Sequence, residues 1–93
     1  MNVFQSTSFA HKVKKLKARQ KQHLDAAVKD IISDPHIGVE KRGDLKGVFV
    51  YKFKIQGVLY LLSYRFSDEE LELIMLGPHE NYYRDLKSYL KKK

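Results

Sequence analysis

The spacing of apolar residues changes once along the chain, from a helical period to an extended one. In the first third of the chain apolar residues recur every three or four positions, as in the set Leu24, Ala27, Val28 and Ile31. Beyond the loop 38-GVEKRGDLKG-47, the segment 48-VFVYKFKI-55 alternates and is rich in β-branched and aromatic residues. A single change of this kind predicts an α+β fold in which helices pack on a sheet.

The amino-terminal segment predicts two helices. Phe9, Val13 and Leu16 lie on one helical face, after serine and threonine residues that can cap the helix. The second apolar set ends before 33-SDPHIG-38, where proline and glycine break the pattern. We expect the two helices to be joined near residues 19 to 23 and to form an antiparallel helical hairpin.

Three strands are predicted in the second half of the chain. The first covers residues 48–55, and 56-QG-57 then supplies a tight turn. The segment 58-VLYLLSYRF-66 is apolar on both faces, which is typical of a central strand. The third strand is 71-LELIML-76, and residues 2–5 are a candidate edge strand.

The expected architecture is a helical hairpin packed on a small, mostly antiparallel sheet of three to four strands. A short carboxy-terminal helix follows, with Leu86, Tyr89 and Leu90 on its inner face. We treat residues 1–93 as one domain that ends in a charged tail, Lys91 to Lys93.

The balance of charges indicates the class of partner. The formal charge of +7 favours an anionic partner, with nucleic acid ahead of an acidic protein or a membrane surface. No cysteine is present, which excludes disulfides and thiol nucleophiles. The opening MNVFQSTSF does not show the basic and apolar regions of a signal peptide, and no apolar run approaches the ~20 residues of a membrane span, so we expect a cytoplasmic protein.

Two lysines on the first strand are candidate anion-binding residues. Because side chains alternate across a strand, Lys52 and Lys54 share one face, about 7 Å apart. The aromatic residues of the same strand occupy the other face, which we expect to pack against the helices. The alternative is that the two lysines only keep a solvated sheet face soluble. The spacing alone does not separate anion binding from this role.

The densest cluster of hydrogen-bonding side chains is 77-GPHENYYRDLK-87, where a strand ends and a helix begins. His79 is the best general acid or base in the chain, because the unperturbed pKa of histidine lies near neutrality. Tyr82 and Tyr83 offer phenol groups and flat faces for base stacking. Tyr82 also stands four residues before Leu86, so it is equally a candidate core residue.

Arg65 closes the central strand, where a guanidinium group needs solvent or an anion. Its distance from the strand lysines depends on a register that the sequence leaves open, and a salt bridge with Asp68 or Glu69 is the alternative. No histidine pairs with a second ligand at a metal-binding spacing, and we expect neither a metal nor a cofactor.

Four motifs in order resemble the RelE/ParE superfamily, toxins of bacterial type II toxin–antitoxin systems. They are 43-GDLKG-47, 51-YKFK-54, 60-YLLSYRF-66 and 77-GPHENYYRDLK-87. The resemblance covers nearly the whole chain and implies the RelE/ParE fold. RelE-like members are ribosome-dependent endoribonucleases that cleave mRNA, whereas ParE-like members share the fold and poison DNA gyrase.

The resemblance implies a division of roles among the candidate residues. Lys52 and Lys54 fall where RelE-like toxins carry lysines that stabilise the cleaved phosphate, and His79 to Tyr83 fall where they carry arginine, histidine or tyrosine. The predicted catalytic set is Lys52, Lys54, Arg65, His79 and Tyr82. The predicted RNA-binding set is Lys46, Tyr83, Arg84 and Lys87.

One departure from the RelE pattern keeps other functions open. RelE-like enzymes carry an arginine inside the central strand, whereas this chain has 60-YLLSY-64 there and Arg65 only at the strand end. The resemblance as a whole still leads us to expect a metal-independent mRNA endoribonuclease that inhibits translation, with the ribosome, mRNA and a cognate antitoxin as partners. The alternatives are a non-enzymatic inhibitor of DNA gyrase and an inactive toxin-like binding domain.

Overall fold

The computed structural model describes residues 1–91 and contains a sheet enclosed between helices. The strands are β1 Asn2–Gln5, β2 Val39–Glu40, β3 Phe49–Ile55, β4 Val58–Phe66 and β5 Glu70–Pro78. The helices are α1 Thr7–Lys14, α2 Ala18–Ser33 and α3 Tyr82–Lys91, with short 3-10 turns at Pro35–Ile37 and Gly43–Leu45. Of the predicted tail, Lys91 ends α3, and residues 92 and 93 lie outside the described residues.

The five strands form one mixed sheet in the order β1-β5-β4-β3-β2. The strands β2 to β5 pair antiparallel, and β1 pairs parallel with β5. The α+β class, the central position of β4 and the edge strand at residues 2–5 are confirmed. The prediction of three to four strands is wrong, because β2 has only two residues and is too short to show an alternating pattern.

The two amino-terminal helices form as predicted, but the joint between them comes earlier. Ser6 caps α1, with its hydroxyl oxygen accepting from the Phe9 N–H at 3.0 Å, and it donates to the carbonyl of Ile74. Gln20 accepts a hydrogen bond from the backbone N–H of Lys17 at 2.8 Å, so α2 already begins at residue 18. The predicted joint at residues 19–23 therefore lies inside α2.

The β3–β4 turn explains the register of the central hairpin. Gln56 and Gly57 have φ values of 50° and 85°, the left-handed pair that matches the twist of two directly connected strands. The register that follows places Ile55 opposite Val58 and Phe49 opposite Tyr64. The predicted tight turn is confirmed.

The sheet separates two hydrophobic clusters. The hairpin of α1 and α2 covers one face, where Leu24 and Ile31 pack with Leu62 and Tyr64. The α3 helix covers part of the opposite face, where the cluster comprises Leu45, Val48, Val50, Leu61, Ile74, Tyr82 and Leu86. The aromatic side chains of β3 pack on the hairpin face, as predicted.

A bulge in β5 changes which side chains of this strand face each cluster. Ser63 pairs with Met75 and Tyr64 with Leu73, which leaves Ile74 without a partner across the strands. The extra residue reverses the alternation, because it adds one position to one strand only. Ile74 therefore faces α3, while the leucines on either side of the bulge face the hairpin.

Candidate nucleic-acid interface

The two lysines of β3 lie on the face of the sheet that α3 partly covers. Val50 is buried under α3, and Lys52 and Lys54 continue the same face along the strand with exposed side chains. The face is open at Lys52 and Lys54, but α3 covers the part at Val48 and Val50. The lysines therefore stand directly beside the edge of an apolar cluster.

Strand register brings His79 to the same end of the sheet as the lysines. Lys52 lies opposite Leu61, which lies opposite Gly77 on β5. In the next row Lys54 lies opposite Leu59, whose carbonyl accepts from the His79 N–H at 3.3 Å. Since neighbouring strands are ~4.8 Å apart, the backbones of Lys54 and His79 are about 10 Å apart.

The turn between β5 and α3 holds His79 in solvent. The carbonyl of His79 accepts from the Tyr82 N–H at 3.2 Å. Asn81, the residue before α3, has φ 59°, a conformation that asparagine tolerates, and its carbonyl accepts from the Asp85 N–H at 3.1 Å. The exposed imidazole meets the Tyr83 ring edge-on, with 6.5 Å between centroids.

Tyr82 belongs to the core rather than to the solvent-facing site. Its side chain is only 3% exposed, and its hydroxyl donates to the Met75 carbonyl at 2.6 Å and lies 2.9 Å from the Ser63 hydroxyl. Burial raises the pKa of the Tyr82 hydroxyl well above its usual value, and the hydrogen bonds with Ser63 only partly offset this. The structure therefore places Tyr82 in the core, where its hydroxyl joins α3 to β5, and not on the exposed surface with His79.

Tyr83 stands between His79 and a cation that the sequence analysis did not select. The Lys41 ammonium lies over the Tyr83 ring, 5.0 Å from its centroid, at a distance typical of cation–π contacts. The backbone N–H of Lys41 donates to the Val48 carbonyl at 2.8 Å, which fixes this residue beside β3. The available signal was the cation pair 41-KR-42, in a segment interpreted only as a loop.

Arg65 lies at the other end of the sheet from His79. Six residues separate it from Leu59 along β4, which corresponds to about 20 Å. Arg65 pairs with Glu72 of β5 and lines a cavity of about 460 Å³ together with Phe4. The structure therefore does not bring Arg65 together with the strand lysines.

The remaining predicted RNA-binding residues are exposed but do not form one group. Lys46 lies on the loop before β3 and shares a cavity with Lys41. Arg84 and Lys87 lie on the outer face of α3, away from the buried Tyr82, and Arg84 forms an ion pair with Asp85 at 3.5 Å.

The arrangement combines two exposed strand lysines with an exposed imidazole and a phenol. At one surface, lysines can bind the oxygens of a phosphodiester. An imidazole or a phenol beside them can transfer a proton. Within residues 1–91, no three His, Asp or Glu side chains are grouped closely enough to hold a metal ion. No helix in the same range is both long and apolar enough to cross a membrane.

Comparisons with known proteins place this geometry in a known fold. A family model described as the ParE-like toxin of type II bacterial toxin–antitoxin systems matches residues 3–87. A mutant of the E. coli toxin RelE in the free state superimposes with a TM-score of 0.72 at 16% identity, over 97% of this chain and 95% of that chain. No curated protein matches.

Two toxin–antitoxin complexes contain chains of the same fold. One is the intact E. coli RelBE complex, with a TM-score of 0.67, 20% identity, and 85% of this chain and 96% of that chain covered. The other is the RelBE2 complex of Mycobacterium tuberculosis, with a TM-score of 0.63, 24% identity, and coverage of 84% and 96%.

Proposed function

Because the chain belongs to the ParE-like toxins of type II bacterial toxin–antitoxin systems, we propose that it is a metal-independent endoribonuclease that cleaves mRNA on the ribosome. The observation that carries this proposal is the register of the sheet. It sets Lys52 and Lys54 beside His79 on one exposed surface. Cleavage there inhibits translation, which is the activity that the resemblance to RelE-like toxins implies.

The proposed reaction uses the RNA itself as nucleophile. The 2′-oxygen of a ribose attacks the adjacent phosphorus while the bond to the 5′-oxygen of the next nucleotide breaks, leaving a 2′,3′-cyclic phosphate and a 5′-hydroxyl. One proton leaves the 2′-hydroxyl and one is delivered to the 5′-oxygen, and His79 is positioned to carry a proton in this exchange. Lys52 and Lys54 stabilise the negative charge that develops on the phosphate oxygens.

Tyr83 replaces Tyr82 as the tyrosine of the proposed site. Its ring is half-buried and touches His79, Tyr82 and Lys41, so its orientation is fixed. A fixed phenol beside the imidazole can hold the substrate or take part in the proton transfer. Arg65 has no place in this mechanism, because it lies about 20 Å along the sheet from His79.

Inhibition of DNA gyrase is the second candidate function. Two observations favour it: the matching family model carries the ParE-like description, and 60-YLLSY-64 holds no arginine inside the central strand. In that case Arg84 and Lys87, on the outer face of α3, form a protein contact surface. Both functions fit a cognate antitoxin as partner, as in the RelBE complexes of the same fold.

The deciding experiment is primer extension on a reporter mRNA after induction of the protein in cells. Wild type should produce new mRNA ends, and His79→Ala should slow their appearance by ~10²-fold or more, because proton transfer contributes 10²–10⁴-fold. His11→Ala is the matched control, since it removes an exposed histidine from α1 on the opposite face of the sheet. Toxicity with intact mRNA and damaged DNA would replace the nuclease by the gyrase inhibitor.

A further inference from the structure

The loop between β2 and β3 carries three cations around a cavity. Lys41, Arg42 and Lys46 line a cavity of about 430 Å³, which also includes Glu40 and Gly43. Among residues 1–91 none of these three cations forms an ion pair, since the single pair there joins Arg84 to Asp85. Three cations and the single carboxylate of Glu40 line the cavity, so its lining has an excess of positive charge.

The backbone of this loop is anchored, so the positions from which the three cations extend are set before any ligand arrives. Leu45 is only 5% exposed and anchors the loop in the cluster under α3. Lys46 N–H donates to the Gly43 carbonyl at 3.1 Å, and Val48 N–H donates to the Leu45 carbonyl at 2.9 Å. Gly43 has φ 66°, which an L-residue with a side chain adopts only at a cost.

The cavity is continuous with the candidate nuclease site through a chain of contacts. Lys41 covers the Tyr83 ring at 5.0 Å, and the Tyr83 ring meets His79 at 6.5 Å. The backbone of Lys41 lies opposite Val48, the residue before β3. Val48 is four residues from Lys52, so the backbones of Val48 and Lys52 are about 13 Å apart. A single phosphate cannot contact both groups of cations, so an extended chain of several phosphates is the ligand that matches them.

We propose that Lys41, Arg42 and Lys46 form a second phosphate-binding subsite, which holds the RNA backbone away from the scissile phosphate. The proposal rests on the proposed nuclease function and extends its site along the strand. Arg42 supplies a planar fork that matches phosphate oxygens, and Lys46 adds a point charge on the other side of Leu45. Lys41 would contact the phosphate in addition to the Tyr83 ring, over which its ammonium already lies.

The test measures how RNA binding depends on salt. The affinity of purified protein for a fluorescein-labelled oligoadenylate is followed by fluorescence anisotropy over a series of salt concentrations. The variant Arg42→Ala with Lys46→Ala should lower the slope of log affinity against log salt by about 1.4, since each phosphate contact on a single strand contributes about 0.7. Lys41 is left unchanged, because its removal also disturbs Tyr83.

The matched control removes the same charge from the other side of the molecule. Lys14→Ala with Lys15→Ala changes two exposed cations at the end of α1, and its slope should match that of wild type. Equal decreases in both double variants would show diffuse attraction and overturn the subsite. The subsite is also overturned if the loop variant keeps its RNA affinity but loses affinity for oligoglutamate, because the loop is then a protein-binding surface.

The primer-extension assay separates this proposal from the nuclease function. Cleavage by wild type with an unchanged salt slope in the loop variant refutes the subsite alone. A decreased slope in the loop variant, with no mRNA cleavage by wild type, supports the subsite and refutes the nuclease. A wild-type protein that does not bind oligoadenylate at low salt overturns the subsite whatever the cleavage result.

Discussion

The hydroxyl of Tyr82 donates a hydrogen bond to the backbone carbonyl of Met75, at 2.6 Å. This contact ties the first turn of α3 to β5 beside the bulge at Ile74. The Ser63 hydroxyl lies 2.9 Å away and completes the buried polar group. The positions of His79 and Tyr83, on either side of Tyr82 in the chain, follow from this attachment.

Tyr82→Phe tests the structural assignment of that hydroxyl. We expect the free energy of unfolding to fall by about 0.5–1.5 kcal/mol, because the Met75 carbonyl loses its closer donor and keeps only the Ser63 hydroxyl at 3.4 Å. Urea denaturation measures the loss. Tyr83→Phe is the control and should leave the stability unchanged, because the Tyr83 hydroxyl forms no hydrogen bond within residues 1–91. Unchanged stability together with abolished mRNA cleavage would return Tyr82 to the catalytic set.

The raised pKa of the Tyr82 hydroxyl leads us to expect a loss of stability at alkaline pH. Burial raises its pKa in the folded protein above the ordinary value of 10.0, so above that pH the unfolded chain releases the proton first. The contribution is complete below pH 10.0 and decreases as the pH rises above it, by about 1.4 kcal/mol per unit. Denaturation on either side of pH 10.0 should show the stability difference between wild type and Tyr82→Phe shrinking. A constant difference would contradict the prediction.

The two faces of β3 should differ in their effect on stability. Phe53 packs half-buried against the hairpin cluster, so Phe53→Ala should cost about 2 kcal/mol, less than the 3–5 kcal/mol of a fully buried phenylalanine. Lys52→Ala and Lys54→Ala remove exposed side chains from the opposite face and should leave the melting temperature almost unchanged. Lysine variants as unstable as Phe53→Ala would show that the charged face is buried.

The β3–β4 turn offers a stabilising substitution. Gln56 adopts φ 50°, and asparagine enters this left-handed region at lower cost, so Gln56→Asn should raise the free energy of unfolding by about 0.5 kcal/mol. Gln56→Ala is the control, because it shortens the side chain without favouring that conformation. Chemical denaturation measures both, and equal stabilities of the two variants would exclude the backbone explanation.

Association with the antitoxin should depend on charge. We expect an acidic antitoxin segment that covers the Lys52 and Lys54 face, so the association rate measured by stopped-flow fluorescence should fall steeply with added salt. Lys52→Ala with Lys54→Ala should weaken that dependence, and Lys14→Ala with Lys15→Ala serves as the control of equal charge. An association rate that is independent of salt would contradict an electrostatically guided complex.

The sequence by itself determined the elements whose signals are local. Alternation placed Lys52 and Lys54 on the face opposite the aromatic side chains of β3, because successive residues of a strand point to opposite sides. The pair 56-QG-57 predicted the turn, since Gly57 accepts a positive φ between two extended apolar segments. The position of His79 between β5 and α3 likewise followed from a strand end next to a helix start.

Only the tertiary structure decided which of these residues meet. Strand register moved Arg65 to the end of the sheet away from His79, and the packing of α3 buried Tyr82. The approach of Lys41 to Tyr83 joins residues far apart in the chain, through the two-residue strand β2. Periodicity is a property of the local backbone, whereas register and helix packing depend on long-range contacts that a one-dimensional pattern does not contain.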